Sequence, residues 1–78
     1  MAKKNFKRIS RGYKEGYDYV GFGWYIEKTD HWGEIWYYIY KDDECCFDND
    51  GYVETPSQAT CKFDNLKEAK EWCRNNAR

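Results

Sequence analysis

The stretch from Tyr17 to Tyr40 constrains the fold most, because both of its faces are apolar or aromatic. In its first half, one face carries Val20, Phe22, Trp24 and Ile26, and the other face carries Tyr17, Tyr19, Gly21, Gly23 and Tyr25. Its second half sets Ile35, Tyr37 and Ile39 against Trp36, Tyr38 and Tyr40. A period of two with β-branched and aromatic residues predicts β-strands. A sheet with one face in water would be polar on that side, so both faces of this segment need a cover.

The turn between the two halves decides which side chains share a face. Asp30 and Gly33 are turn residues within the segment from Thr29 to Gly33, which predicts a β-hairpin. If Asp30 pairs with Gly33, the first face carries the aliphatic side chains, with Phe22, Trp24, Ile26, Ile35, Tyr37 and Ile39. The second, tyrosine-rich face then carries Tyr19, Gly21, Gly23, Tyr25, Trp36, Tyr38 and Tyr40. If Thr29 pairs with Gly33, the two strands exchange faces relative to each other. The first register is favoured, because tyrosines suit a boundary with water.

One helix is predicted near the end of the chain, from residue 65 to residue 75. Asn65 is the candidate N-cap, and Glu68 lies at the capping-box position. One stripe of this helix is apolar and contains Leu66, Ala69, Trp72 and Cys73. Short strands are expected on either side of a turn at residues 48–51, and residues 60–63 are expected to reach the sheet edge. We also expect residues 5–10 to form an edge strand or an ordered arm.

These elements predict one α+β domain over residues 1–78. Its sheet, within residues 17–54, is a small antiparallel meander of three to four strands, and the C-terminal helix packs on one face. Residues 1–14 form a basic arm with six basic side chains and no acidic one. Residues 15–64 form an acidic body with twelve acidic side chains against three lysines. Such an arm can contact phosphates, fold over its own body or stay disordered.

The chemistry-bearing residues do not assemble into a catalytic or metal-binding pattern. His31 is the one histidine and falls in a predicted turn, while Cys45, Cys46, Cys61 and Cys73 lack the spacing of a zinc site. We therefore predict no enzyme, no cofactor and no metal. The chain has no apolar stretch long enough for a membrane span or a signal peptide, which predicts a cytoplasmic protein with reduced thiols. A Cys61–Cys73 disulfide would require an oxidising compartment.

The segment from Phe63 to Trp72 reads Phe-Asp-Asn-Leu-Lys-Glu-Ala-Lys-Glu-Trp. It resembles the closing helix of many small phage-encoded accessory proteins, in which a short strand leads into a Phe-x-x-Leu-x-Glu-Ala-x-x-Trp helix. The resemblance covers ten of the 78 residues and follows mainly from helix packing. It implies a short protein in the host cytoplasm that binds a host protein.

One predicted helix covers one face of the sheet, which leaves the second aromatic face for a partner. We therefore predict a non-enzymatic protein-binding module, of the kind a phage uses as an inhibitor or anti-defence factor. Its partner, an unidentified host protein with a basic surface, would contact Tyr19, Tyr25, Trp36, Tyr38 and Tyr40.

Three alternatives to this interpretation stay open. In the first, the same rings stack on single-stranded nucleic acid while the basic arm holds phosphates. In the second, the aromatic face pairs with its own copy in a homodimer. In the third, the basic arm covers the face through Phe6 and Ile9, and no partner is needed there.

Overall fold

The computed structural model describes residues 5–10, 16–48 and 52–78 and shows an antiparallel sheet with one C-terminal helix. The elements in chain order are β1 (Lys7–Ser10), β2 (Tyr17–Gly21), β3 (Trp24–His31), β4 (Glu34–Lys41), a 3₁₀ turn (Asp42–Glu44), β5 (Cys46–Phe47), β6 (Val53–Glu54), β7 (Cys61–Phe63) and α1 (Leu66–Asn75). The main sheet has five strands in the order β1-β2-β3-β4-β7, and β5 and β6 form a separate small sheet. The predicted α+β class is confirmed, with more strands than expected.

The segment predicted as one long strand is in fact two strands. Phe22 and Gly23 form a two-residue turn with φ angles of 58° and 84°, and Gly21 pairs with Trp24 across it. Two positive φ values identify a type I′ turn, which matches the twist of the strands it joins. Because the chain reverses here, Tyr19 pairs with Ile26 and lies on the same face as that residue.

The hairpin between β3 and β4 turns at Trp32 and Gly33, further along the chain than predicted. Asp30 pairs with Ile35 instead of Gly33, and Ile26 pairs with Ile39. The register differs from the favoured one by two residues. Since side chains alternate with a period of two, this difference leaves the predicted faces of β3 and β4 unchanged.

The first face of the sheet is covered by α1. The core there consists of Trp24, Ile26, Ile39, Ala69 and Cys73, with Leu66 and Trp72 packed against it. The rings of Trp24 and Trp72 meet edge to face at 4.8 Å. Asn65 caps the helix as predicted, since its Oδ1 accepts hydrogen bonds from the backbone N–H groups of Lys67 at 2.8 Å and Glu68 at 3.2 Å. The predicted helical stripe is therefore the buried stripe.

The segment that contains β5 and β6 covers the second face. The prediction that this face lies open is therefore wrong for its central part. Tyr25, Tyr40, Cys45 and Val53 form a second core. Ile9, Val20, Tyr38 and Ala59 pack around it. In the predicted arm, β1 is an edge strand whose Ile9 packs on this core, while Phe6 packs on the first one. Residues 1–4 and 11–14 of the arm lie outside the described residues.

The last residues of the chain are bound to the turn between β2 and β3. The backbone N–H of Arg78 donates to the Phe22 carbonyl at 2.9 Å, and the Trp24 indole N–H donates to the Asn76 carbonyl at 2.9 Å. The Arg78 guanidinium also forms two hydrogen bonds of 3.3 Å with the Asp43 carboxylate. This pairing lowers the pKa of Asp43 through hydrogen bonding from Arg78. A Cβ at Gly23 would lie 2.6 Å from the Cβ of Arg78, so only glycine permits this approach.

Asp18 is the buried acid of the second face, with no accessible surface. Its Oδ2 accepts a hydrogen bond of 2.6 Å from the Tyr25 hydroxyl, and its Oδ1 accepts one of 3.0 Å from the backbone N–H of Lys28. These bonds replace water around a carboxylate that would otherwise be costly to bury.

Replacing Tyr25 with Phe should lower the free energy of unfolding by about 2 kcal/mol, because Asp18 loses a hydrogen bond that it cannot replace with bulk water. Urea denaturation measures the change. The matched control is Tyr37→Phe, since the Tyr37 hydroxyl has no hydrogen bond within the described part of the chain. If both variants were equally stable, the Tyr25–Asp18 hydrogen bond would make no measurable contribution to the free energy of unfolding.

Candidate protein-binding surface

Two of the five predicted partner-binding residues lie in the second core. Tyr25 has no accessible surface and Tyr40 is 9% exposed. The Tyr25 ring meets Phe47 edge to face at 5.6 Å and lies 6.3 Å from the Tyr40 ring. Burial, followed by the charge of Glu27, raises the pKa of Tyr40. Neither ring is therefore presented to a partner while the small sheet is in place.

Tyr19 lies on the first face, away from the other predicted residues. The turn at Phe22 and Gly23 places it opposite Ile26, where it packs against the first core. The Lys70 ammonium on α1 lies 4.2 Å from the centre of its ring. The prediction placed Tyr19 on the second face because the turn at Phe22 and Gly23 falls inside an unbroken apolar run.

Trp36 and Tyr38 remain half-buried on the second face, and they lie next to each other on alternate positions of β4. The Lys62 ammonium of β7 lies 4.6 Å from the centre of the Trp36 ring, and Lys62 pairs with Tyr38 across the strands. These two residues are the part of the predicted surface that a partner can reach. Their binding role stays a prediction.

The outer half of the β3–β4 hairpin extends beyond both cores. Residues from Asp30 to Ile35 are all exposed, in contrast to the buried residues where β3 begins and β4 ends. Trp32, at the tip, is 92% exposed. Its only ring neighbour in the described residues is His31, at 6.1 Å. The hairpin therefore presents a nearly free indole to solvent.

The backbone conformation at Trp32 is strained. Trp32 and Gly33 have φ angles of 56° and 86°, so the second hairpin also has a type I′ turn. Asn and Gly are the residues that suit such turns, and a bulky residue at positive φ is strained by ~1 kcal/mol or more.

Phe22 occupies the same position in the first turn and shows how such strain is normally offset. Its backbone φ is 58°, and its ring packs against the first core, 5.1 Å from the ring of Phe6. Trp32 has the same strain without such packing.

An acidic residue lies two positions from the exposed tryptophan on either side along the chain. Asp30 precedes it and Glu34 follows it, and both are exposed. Ile35 pairs with Asp30 and is 41% exposed, which extends the apolar area along one side of the hairpin. The tip surface, which consists of Asp30, Trp32, Glu34 and Ile35, combines an aromatic anchor with negative charge.

Sequence reasoning missed Trp32 as a candidate, although a signal was present. Trp32 precedes Gly33 in a predicted turn, and Asn is the usual residue before Gly in a two-residue hairpin turn. A tryptophan in that position is unfavourable locally. The signal becomes specific only when the turn is known to have two residues.

The described residues contain no group of three or more His, Cys, Asp or Glu side chains arranged to hold a metal ion. Burial, followed by the charges of Asp42 and Glu27, raises the pKa of Cys45 to about 11. Burial likewise raises the pKa of Cys73 to about 12. Both thiols are therefore poor nucleophiles at neutral pH. Across the described ranges no helix is both long and apolar enough to cross a membrane.

Comparisons with known proteins identify no relative of this chain. No protein-family model matches the chain, and neither the curated proteins nor the solved structures give a match. The resemblance of α1 and the strand before it to phage-encoded proteins stays a prediction.

Replacing Trp32 with Asn should raise the free energy of unfolding by about 1 kcal/mol, because Asn-Gly suits a type I′ turn and the indole contributes little packing. Thermal and urea denaturation measure it. The matched substitution Phe22→Asn should instead destabilise the protein, since it removes a packed ring from an equivalent turn. A loss of stability in Trp32→Asn would show that the indole packs within its own chain.

Alkylation should separate the cysteines by burial. At about pH 8, iodoacetamide should modify the exposed Cys46 first, while Cys45 and Cys73 should react only after unfolding in urea. Peptide mapping by mass spectrometry reads each site separately. Equal rates at Cys46 and Cys73 in the folded protein would contradict the buried position of Cys73.

Proposed function

We propose that the protein is a non-enzymatic binding module that attaches to another protein through the tip of its β3–β4 hairpin. The observation that supports this most is Trp32, which is 92% exposed at a backbone φ of 56°. Tryptophan is among the residues most enriched at the energetic centres of protein interfaces. A projecting hairpin can insert such a residue into a pocket with little loss of side-chain entropy.

The charge around Trp32 suggests what the partner looks like. Asp30 and Glu34 would lie at the rim of a contact that has the indole at its centre. A complementary surface has an apolar pocket bordered by Lys or Arg, because charge complementarity at the rim speeds association and selects partners. Trp36 and Tyr38 on the second face of the same hairpin would enlarge the contact.

The predicted role as a phage-type inhibitor or anti-defence factor in a host cytoplasm is part of this proposal. It is supported by the pattern from Phe63 to Trp72. A basic host surface of the kind that normally holds nucleic acid would fit the acidic tip surface.

The test is affinity capture from a lysate with three forms of the protein, which are wild type, Trp32→Asn and Tyr52→Ala. Tyr52 is a matched control, since it is 57% exposed and lies beside the small sheet. We expect a partner that wild type and Tyr52→Ala retain and that Trp32→Asn loses. Since Trp32→Asn is expected to be at least as stable as wild type, unfolding would not explain the loss.

A photo-crosslinking phenylalanine analogue at position 32, and separately at position 52, then tests direct contact. Crosslinks to the captured protein from position 32 but not from position 52 are expected. If capture is the same with wild type and Trp32→Asn, the proposal fails.

Nucleic-acid binding is tested by adding single-stranded oligonucleotides and following tryptophan fluorescence. Base stacking on Trp32 or Trp36 would quench it with a steep dependence on salt. Because Asp30 and Glu34 repel phosphates, we expect no quenching at low salt. Quenching that disappears in Trp32→Asn would favour the nucleic-acid alternative.

A further inference from the structure

The outer edge of β1 is a second place where another chain could bind. β1 pairs with β2 on one side and is the first strand of the sheet order. Within residues 5–10, 16–48 and 52–78, no backbone hydrogen bond joins this outer edge to another segment. An open edge offers a row of N–H and C=O groups that can pair with an added strand.

On the first face, three cationic side chains lie next to this edge. The Arg8 guanidinium is 4.8 Å from the centre of the Tyr17 ring, and the Arg74 guanidinium is 5.4 Å from the centre of the Phe6 ring. The Lys70 ammonium lies 5.7 Å from the same Phe6 ring. Partial burial, and then the charges of Arg74 and Arg8, lower the pKa of Lys70. The three cations therefore affect one another.

These cations lack acidic partners within the described residues. Arg8, Lys70 and Arg74 take part in no ion pair there, in contrast to Arg78. Lys70 and Arg74 are four residues apart on α1, a spacing at which like charges destabilise a helix. The aromatic rings attract each cation but leave the mutual repulsion in place. The residues that the structure describes provide no negatively charged partner for this cluster.

On the second face, the same edge borders an apolar groove of about 400 Å³. Its walls are formed by Ile9, Val20, Phe47 and Val53. The charged residues Lys7, Arg8 and Asp48 complete its lining. The groove is therefore suited to aliphatic side chains, while the first face beside the same strand is suited to carboxylates.

A β-strand satisfies both sides of this edge at once, because successive side chains point to opposite faces. We propose that β1 accepts an extended acidic peptide from another protein as a sixth strand, with apolar side chains in the groove and acidic side chains against Arg8, Lys70 and Arg74. Backbone hydrogen bonds would supply affinity, and the two side-chain rows would supply selectivity. This site is separate from the tip surface and does not depend on it.

A second copy of this chain fits the edge poorly. Pairing two β1 strands would place the Lys7 and Arg8 side chains of both copies close together, and charged edge residues commonly prevent such pairing. An acidic segment has the opposite charge, so the same residues attract it. The charge pattern therefore favours a different protein as the source of the strand.

The experiment is an NMR titration of the isotope-labelled protein with a capped synthetic peptide in which Val and Glu alternate. We expect saturable shifts of the amide signals from Lys7 to Ser10 and of Val20. The triple variant Arg8→Gln, Lys70→Gln, Arg74→Gln should weaken binding about tenfold, because it removes all three charge contacts. The control Lys67→Gln, an exposed cation of α1 outside the cluster, should leave the affinity within about twofold. Trp32→Asn should bind the peptide as wild type does.

Two further peptides keep the test independent of the stability of the variants. One has the same composition with its Val and Glu residues in separate blocks, and the other is N-methylated at alternate positions to remove edge hydrogen bonds. Both should bind much more weakly to wild type. Equal binding of either one would mean that charge attraction alone is at work, and the strand-addition proposal would be overturned. So would the absence of any shift in the β1 amides, or a dimer by sedimentation that forms through the same residues.

Discussion

The pairing of β3 with β4 is the constraint on which the rest of the structure depends. Eight residues of each strand are aligned, and this alignment assigns every side chain of the aromatic segment to one face. Ile26 and Ile39 fall on the first face, while Tyr25 and Tyr40 fall on the second. Because both faces are apolar near the start of β3, neither can be left in water. A short chain must therefore provide two covers, and α1 and the region of the small sheet are those covers.

The two covers bury different parts of the sheet and leave other parts accessible to solvent. α1 reaches the start of β3 and the end of β4 through Trp72 and Cys73. The small sheet and the chain before it bury Tyr25 and Tyr40. Neither cover extends to the hairpin tip, so Trp32 stays in solvent. The two proposed binding sites, at the hairpin tip and along the outer edge of β1, lie where the sheet extends past these covers.

Much of the fold could be predicted from the sequence, because period-two alternation and the helical stripe report burial directly. The faces of β3 and β4 were predicted correctly even though the register was two residues away, since such a shift preserves the alternation. Asn65 was identified from cap chemistry alone. The turn at Phe22 was not, because its ring packs in the core and so continues an apolar run. For the same reason the tyrosines of this run could not be sorted into buried and accessible ones: Tyr25 and Trp36 look alike until the small sheet is placed over one of them.

The two type I′ turns also bear on the order in which the structure forms. β2, β3 and β4 are consecutive and joined by two-residue turns, so their contacts are local and can form early. β7 and α1 reach β4 only after the whole segment that carries the small sheet. Until the two covers dock, aromatic side chains of β3 and β4 stay exposed on both faces of the meander. A partly folded chain with an uncovered meander is therefore the species most prone to aggregate.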